Sequence, residues 1–182
     1  MIPDPETCYG LMEKYGMYPH IRDHSLIVGE VTSLLVHGLN RSGFRLNRDL
    51  ALAGALLHDI AKSECIEKSC SHDRRGAEIC RQLGYDRVAE IVEEHVILEK
   101  GEAQPLNEKL IVYYADKRVN HDRIVSLTGR LASILRRYAR GDRELEQAIE
   151  DNFRVCFAVE REIFRHLSFT PADIEASLFQ KS

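Results

Sequence analysis

Apolar residues along this 182-residue chain recur at intervals of three and four, the spacing of helices that bury one face. No window alternates apolar and polar residues between hairpin turns, so the pattern predicts an all-α fold. The first stretch is punctuated by Pro3, Pro5, Gly10, Gly16 and Pro19, and only short helical turns around Tyr9 to Tyr15 are expected there. A helix follows from about Ile21 to Leu39, with Ile27, Val31, Leu34 and Leu35 on its apolar face and His24 in its first turn. Asn47 can cap a very apolar helix that ends at Lys62 and turns Leu50, Ala53, Leu57 and Ile60 toward a core. From Ser63 to Ser71 the chain is polar and is expected to be irregular.

Ser71 can cap a helix from His72 to Leu83, stopped by Gly84. Asp86 can cap the next, through Val88, Ile91, Val92 and His95. A loop containing Gly101 and Pro105 leads to a helix opened by Asn107 and carrying Leu110, Ile111, Tyr114 and Asp116. An amphipathic helix from Ser126 to Ala139, weakened by Gly129, precedes a long one from Asp142 to about Leu167. Thr170-Pro171-Ala172-Asp173 has the cap, proline and carboxylate of a helix start, so a short helix to Phe179 should close the chain. With no repeat, low-complexity segment or linker, one domain over residues 1–182 is expected. The Arg140-Gly141 break sets off a C-terminal helical pair too small to be a domain.

Composition narrows the function. Hydrophobic residues at 44% and charged residues at 30% are the balance of a soluble globular protein. A net charge of -4 gives no basic footprint for general nucleic-acid binding. No run is long enough to span a bilayer and no signal peptide is expected, so a cytoplasmic protein without membrane partners is expected. The five cysteines, Cys8, Cys65, Cys70, Cys80 and Cys156, lack zinc-ribbon spacing and read as free thiols, with some allowance for redox sensitivity at Cys65 and Cys70.

The chemistry begins at His58 and Asp59, adjacent at the end of the apolar helix. Neighbours on a helix differ by roughly 100° in direction, so both side chains can reach one ion beside it, and a divalent metal would compensate their burial. His24, His72, His95 and Asp116 also lie on predicted helices or at their ends. Imidazole and carboxylate suit Mn, Fe, Co, Ni and Zn, and carboxylate also suits Mg. His20, His37, His121 and His166 lack such a context and read as surface or core residues.

In order and spacing, His24, then Leu56-Leu57-His58-Asp59-Ile60-Ala61-Lys62, then Tyr114-Ala115-Asp116-Lys117, resemble the H…HD…D pattern of the HD-domain metal-dependent phosphohydrolases. His72 before Gly76-Ala77, and His95 after Glu93-Glu94, resemble the extra histidines of the HDIG-like subset that can hold two metals. That subset includes bacterial diadenosine tetraphosphate hydrolases and cyclic-dinucleotide phosphodiesterases. The resemblance implies a compact helical HD-domain bundle, with a metal-binding core at about residues 20–127 and C-terminal helices at about 126–180. It implies that His24, His58, Asp59 and Asp116 hold one metal, and that Asp59 bridges to a second held by His72 and His95. Lys62 would approach a substrate phosphate. Lys117-Arg118-Val119-Asn120 departs from the tetraphosphate hydrolases, and no Gly-Tyr-Pro signature of the cyclic-dinucleotide enzymes is present.

The expected activity is hydrolysis of a nucleotide or other small phosphate ester by metal-activated water, with one or two divalent ions from among Mn, Fe, Mg, Zn, Co and Ni. Asp59 and Lys62 are the expected catalytic residues, and Arg22, Lys117 and Arg118 the further candidates for phosphate contact. Asp73, Glu64, Glu93 and Glu94 are candidates for orienting ligands. Rival readings are a non-catalytic, metal-dependent nucleotide-binding or regulatory HD domain, and di-iron oxygenase chemistry, since the same donors suit iron.

Overall fold

In a computed structural model, which describes residues 1–99 and 104–179, the N-terminal punctuation starts a helix instead of preventing one. Asp4 accepts a hydrogen bond of 2.7 Å from the Thr7 amide and Pro5 takes the first helical position, so α1 spans Pro5–Lys14. Pro19 likewise takes the first position of α2, Pro19–Arg41, which has no side-chain cap. Asn47 accepts from the Leu50 amide at 3.0 Å and caps α3, Arg48–Leu57.

The sequence pattern predicts one buried face for α3, yet Ala51, Gly54, Ala55 and Leu56 are as buried as Leu50, Ala53 and Leu57. A helix apolar all round belongs inside, and α3 packs against α1, α2, α6 (Asp86–Glu94) and α7 (Glu108–Lys117). Close approach to α6 needs Gly54, because a Cβ there would sit 2.7 Å from Ile91 Cγ2.

The central helix does not reach Lys62. It ends at Leu57, where the Ile60 amide bonds to Leu57 O at 3.0 Å and the Lys62 amide to Asp59 O at 2.9 Å. These tight turns restart the chain as α4, Lys62–Lys68, where an irregular segment was expected. Ser69 then adopts φ 53°, and the Cys70 amide bonds back to Cys65 O at 3.3 Å. That reversal brings Cys65 and Cys70 to a Cα separation of 4.6 Å and joins them as a disulfide, correcting the expectation of free thiols. Cys8, Cys80 and Cys156 are free and buried.

Helices α5, His72–Gln82, and α6 pack together across a turn in which Gly84 has φ 79°. The predicted loop position Gly101 lies outside the described residues. Asn107 accepts from the Leu110 amide at 3.1 Å and opens α7. Just after α7 comes a hairpin of β1, Val119–Asn120, and β2, Arg123–Ile124, with Val119 opposite Ile124 and Asn120 opposite Arg123. Strands of two residues are too short to register as alternation, and the fold remains all-α.

Beyond the hairpin, α8 (Leu127–Ile134) runs into a π-helical turn at Leu135–Ala139, and Asp142 caps α9, Arg143–Phe164. The capping box of Thr170 and Asp173 forms on a 3₁₀ turn that leads into α10, Ile174–Phe179. Phe153, Cys156, Val159 and Ile163 of α9 are buried in the same core as α3 and α7. No helix among the described residues is long and apolar enough to cross a membrane.

Gly54→Ala should overpack the α3–α6 contact and cost about 1–3 kcal/mol, outweighing a helical gain of about 1 kcal/mol. Gly10→Ala, with nothing within 4 Å of the added methyl, should instead stabilise by about 0.5–1 kcal/mol. Urea midpoints of opposite sign for the two variants are the expected measurement.

Candidate metal centre

The tight turn after α3 carries His58 and Asp59 into the centre of the bundle, where both are fully buried. Four other elements deliver the rest. His24 comes from the second turn of α2, His72 from the first position of α5, His95 from the end of α6, and Asp116 from the last turn of α7. Packing of α5 on α6 puts His72 and His95 at one end of the pair, with their Nε2 atoms 3.3 Å apart. Asp59 Oδ1 lies 3.3 Å from His72 Nε2 and 3.6 Å from His95 Nε2. On the other side, Asp59 Oδ2 is 3.3 Å from His58 Nε2, and Asp116 Oδ1 is 3.0 Å from His24 Nε2 and 3.6 Å from His58 Nε2.

The donor atoms form two groups that share Asp59, one with His24 and His58, the other with His72 and His95. Asp116 adjoins the first group through its short approaches to His24 and His58.

Backbone carbonyls orient three of the imidazoles. His24 Nδ1 donates to His121 O at 2.9 Å, His58 Nδ1 to Ala55 O at 2.7 Å, and His95 Nδ1 to Val92 O at 2.6 Å. In the neutral ring the Nδ1 proton is thereby spent, and Nε2 presents a lone pair to the cluster. Those lone pairs face carboxylate oxygens, an arrangement that repels unless a cation lies between. The buried His58 Nε2 and Asp59 Oδ1 have no hydrogen-bond partner among the described residues. Orphaned donors of this kind, nitrogen and oxygen together, fit a divalent metal.

Burial and the neighbouring charges also shift the titration of these groups. Burial opposes the His58 imidazolium, but the Asp59 and Asp116 charges outweigh it and raise its pKa. Burial works against the Asp59 carboxylate too, yet His58 and Lys62 hold it well below the usual range. Burial, aided by the charges of His95 and Lys62 and opposed by Asp59, brings His72 down to about 4. A neutral His72 is the form that binds a metal.

The cations sort differently from the sequence expectation. Lys62 opens α4 instead of closing α3, and its Nζ reaches back 2.6 Å to Asp59 Oδ2. Arg22 lies near Glu13, 4.0 Å away, with its side chain 37% exposed. Lys117 is buried, donates to His95 O at 2.7 Å and sits 3.9 Å over the Tyr113 ring, so it braces His95. Arg118, expected at a phosphate, is buried and turned away. It donates to Val125 O, the Tyr114 hydroxyl, Glu160 and Pro171 O, tying α7 to the C-terminal segment.

The four acidic residues considered as ligand orienters pair elsewhere: Glu64 with Lys68 and Arg75, Asp73 with Ser71 and the Arg74 amide, Glu93 with Arg81, and Glu94 with Lys109. The orienting work falls to Ala55, Val92 and His121 carbonyls, which any residue type supplies and no side-chain pattern announces.

A family model described as HD domain matches residues 21–120, a span containing all six clustered residues and Lys62. The chain is 37% identical over 97 residues to a tRNA (cytidine(56)-2'-O)-methyltransferase of Thermoplasma volcanium, covering 53% of this chain and 27% of that protein. The Picrophilus torridus protein of the same name is 31% identical over 140 residues, covering 69% and 39%. A Ribonuclease Y of Pseudothermotoga lettingae is 34% identical over 104 residues, covering 56% and 18%. The chain thus spans less than half the length of these relatives. No solved structure matches.

Chelator-stripped protein should gain thermal stability on titration with Mn²⁺, about 2.7 kcal/mol at a hundred times the dissociation constant. Asp59→Ala should abolish that response and His37→Ala should keep it. A full response in Asp59→Ala would move metal binding away from this cluster.

Proposed function

The chain belongs to the HD-domain family, and from that premise we propose that it is a metal-dependent phosphohydrolase acting on a phosphate ester. The observation that carries this reading is the pair of donor groups joined at Asp59, with orphaned nitrogen and oxygen atoms at their centre. In this reading His24, His58, Asp59 and Asp116 hold one ion, and Asp59, His72 and His95 the other. Divalent ions held there would acidify water and neutralise phosphoryl charge.

The chain's own residues supply the remainder. Nδ1 bonds to backbone carbonyls keep the His24, His58 and His95 rings from rotating. Most of the cluster is buried, and His72 is its most exposed imidazole, with 28% of its side chain open. Lys62 stands on that carboxylate with its side chain 35% exposed, placed to swing from Asp59 to a phosphoryl oxygen.

The substrate class is a nucleotide or another small phosphorylated compound. Relatives named for tRNA methylation and for ribonuclease activity favour a nucleotide moiety over a sugar or lipid phosphate. Their shared segment covers too little of either protein to carry over their reactions.

The test is a phosphate-release screen of the Mn²⁺-loaded protein against p-nitrophenyl phosphate, its bis ester, nucleoside mono-, di- and triphosphates, cyclic nucleotides and short RNA. Turnover of at least one ester, lost in Asp59→Asn, is expected. His72→Ala and His95→Ala should each lose about one equivalent of metal and slow turnover by at least about tenfold. Full metal content and full rate in both would reduce the centre to a single ion. Tight nucleotide binding with no turnover anywhere in the panel would leave a binding module instead.

A further inference from the structure

The helical pair beyond the HD-matched span gathers positive charge in one place. Between Gly129 and Glu144 stand five arginines and one acidic residue, Asp142, a net charge of +4 in a chain whose net charge is -4. A whole-chain charge averages such a cluster away, so composition does not announce it. Four of the five, Arg136, Arg137, Arg140 and Arg143, are exposed and belong to the turn from α8 into α9.

The backbone turns this short stretch outward. Helix α8 widens into the π-helical turn Leu135–Ala139, of which Ala139 alone is buried. Arg140 and Gly141 follow with φ 42° and 91°, and the Asp142 amide bonds to Ala139 O at 2.7 Å. These two left-handed residues reverse the chain, so α9 packs back on α8 and on the π turn. Arg140 Nε donates to Arg137 O at 3.2 Å, which ties the two arginine positions together at the tip. Tyr138, 54% exposed, lies among them, with the Arg137 guanidinium 5.4 Å from its ring centre.

The acidic residue within the cluster is already engaged, since Asp142 accepts from the Glu144 and Leu145 amides as the cap of α9. None of the four arginines pairs with a carboxylate among the described residues. Arg154, further along α9, by contrast pairs with Asp151 at 2.6 Å. Like charges held at one turn repel, and a polyanion relieves that repulsion while releasing its own counterions. An exposed aromatic ring set among arginines adds a face on which a nucleobase stacks. A lipid surface calls instead for an apolar helix face beside the charge, whereas Leu131 and Ile134 of α8 pack inward against the core.

We propose that the α8–α9 turn is a docking surface for a single-stranded nucleic acid, with phosphates on Arg136, Arg137, Arg140 and Arg143 and a base on Tyr138. The surface lies outside residues 21–120 and uses no residue of the metal cluster, so it goes beyond the phosphohydrolase reading and does not depend on it.

The probe is a fluorescein-labelled oligouridylate of about 12 nucleotides, followed by polarisation against the full chain, with the integrity of the strand checked on a gel. With four arginines on phosphates, wild-type affinity should fall about fiftyfold between about 50 and 200 mM salt. In Arg136→Gln/Arg137→Gln and in Arg140→Gln/Arg143→Gln, each two charges poorer, the fall should shrink to about sevenfold. Tyr138→Ala should weaken binding by about tenfold, and Tyr138→Phe, which keeps the ring, by less than about twofold. Arg154→Gln should bind as wild type does. All the substituted side chains are exposed, and melting temperature, metal content and ester turnover should stay at wild-type values throughout. A wild type that binds no strand overturns the proposal, as does an unaltered salt dependence in both double variants. Full affinity in Tyr138→Ala, or an equal loss in Arg154→Gln, also overturns it. Phosphatidylserine–phosphatidylcholine vesicles are the second probe: capture of the protein by them that the double variants abolish, without oligouridylate binding, would assign the patch to a lipid surface and overturn the proposal.

Discussion

A single buried carboxylate governs this architecture. Asp59 is fully enclosed, with one oxygen on Lys62 and His58 and the other facing His72 and His95. An isolated carboxylate in such a place would be prohibitively costly. It is tolerated because a lysine and several imidazoles converge on it, and those partners come from four different helices or turns. Their convergence requires the end of α3, α4, α5 and α6 to pack in one relative arrangement. The same cluster that offers donors to a metal is therefore a constraint on how the bundle assembles.

The donor atoms of the cluster are set against one another. Imidazole nitrogens whose Nδ1 protons are committed to carbonyls point their remaining lone pairs at carboxylates. The Asp59 and Asp116 charges favour a proton on His58 against the penalty of burial. A divalent cation relieves the conflict between lone pairs, since one ion can face several at once. Preorganisation of this sort favours binding, because the rings are held before the ion arrives.

The C-terminal helices complete the centre from outside. Arg118, the Tyr114 hydroxyl and Glu160 form a buried network between α7 and α9, and Arg118 also reaches Pro171 O. Its effect is to hold the end of α7, and with it Asp116 and Lys117, in register with the hairpin that supports His24. Lys117 passes the same rigidity to His95 through its carbonyl. A bundle truncated after the hairpin would lack this outer wall.

How much of this was legible in the sequence depends on the range of the interaction. Some caps announced themselves locally: Asn47 and Asn107 each accept from the amide three residues ahead, as their positions before apolar runs implied. Two expected caps did not form, since Ser71 turns its hydroxyl to Asp73 and Tyr85, not Asp86, takes the cap position of α6. Asp4 with Pro5 carried the same signal, masked by the glycines and prolines around it. The six cluster residues were legible as imidazoles and carboxylates in a family-like order, a chemical pattern that spacing preserves. Their mutual distances were not, because each distance is set by helices packing side to side. The break after Leu57 escaped the pattern since buried apolar residues resume at Ile60 and Ala61, at helical spacing beyond His58 and Asp59. The Cys65–Cys70 link depended on the left-handed backbone at Ser69. The cations were least legible of all. A lysine or arginine reads the same in sequence whether it braces a carbonyl, as Lys117 does, or saturates a buried network, as Arg118 does. Only the neighbours brought by tertiary packing decide whether its charge is consumed inside the fold or left for a ligand.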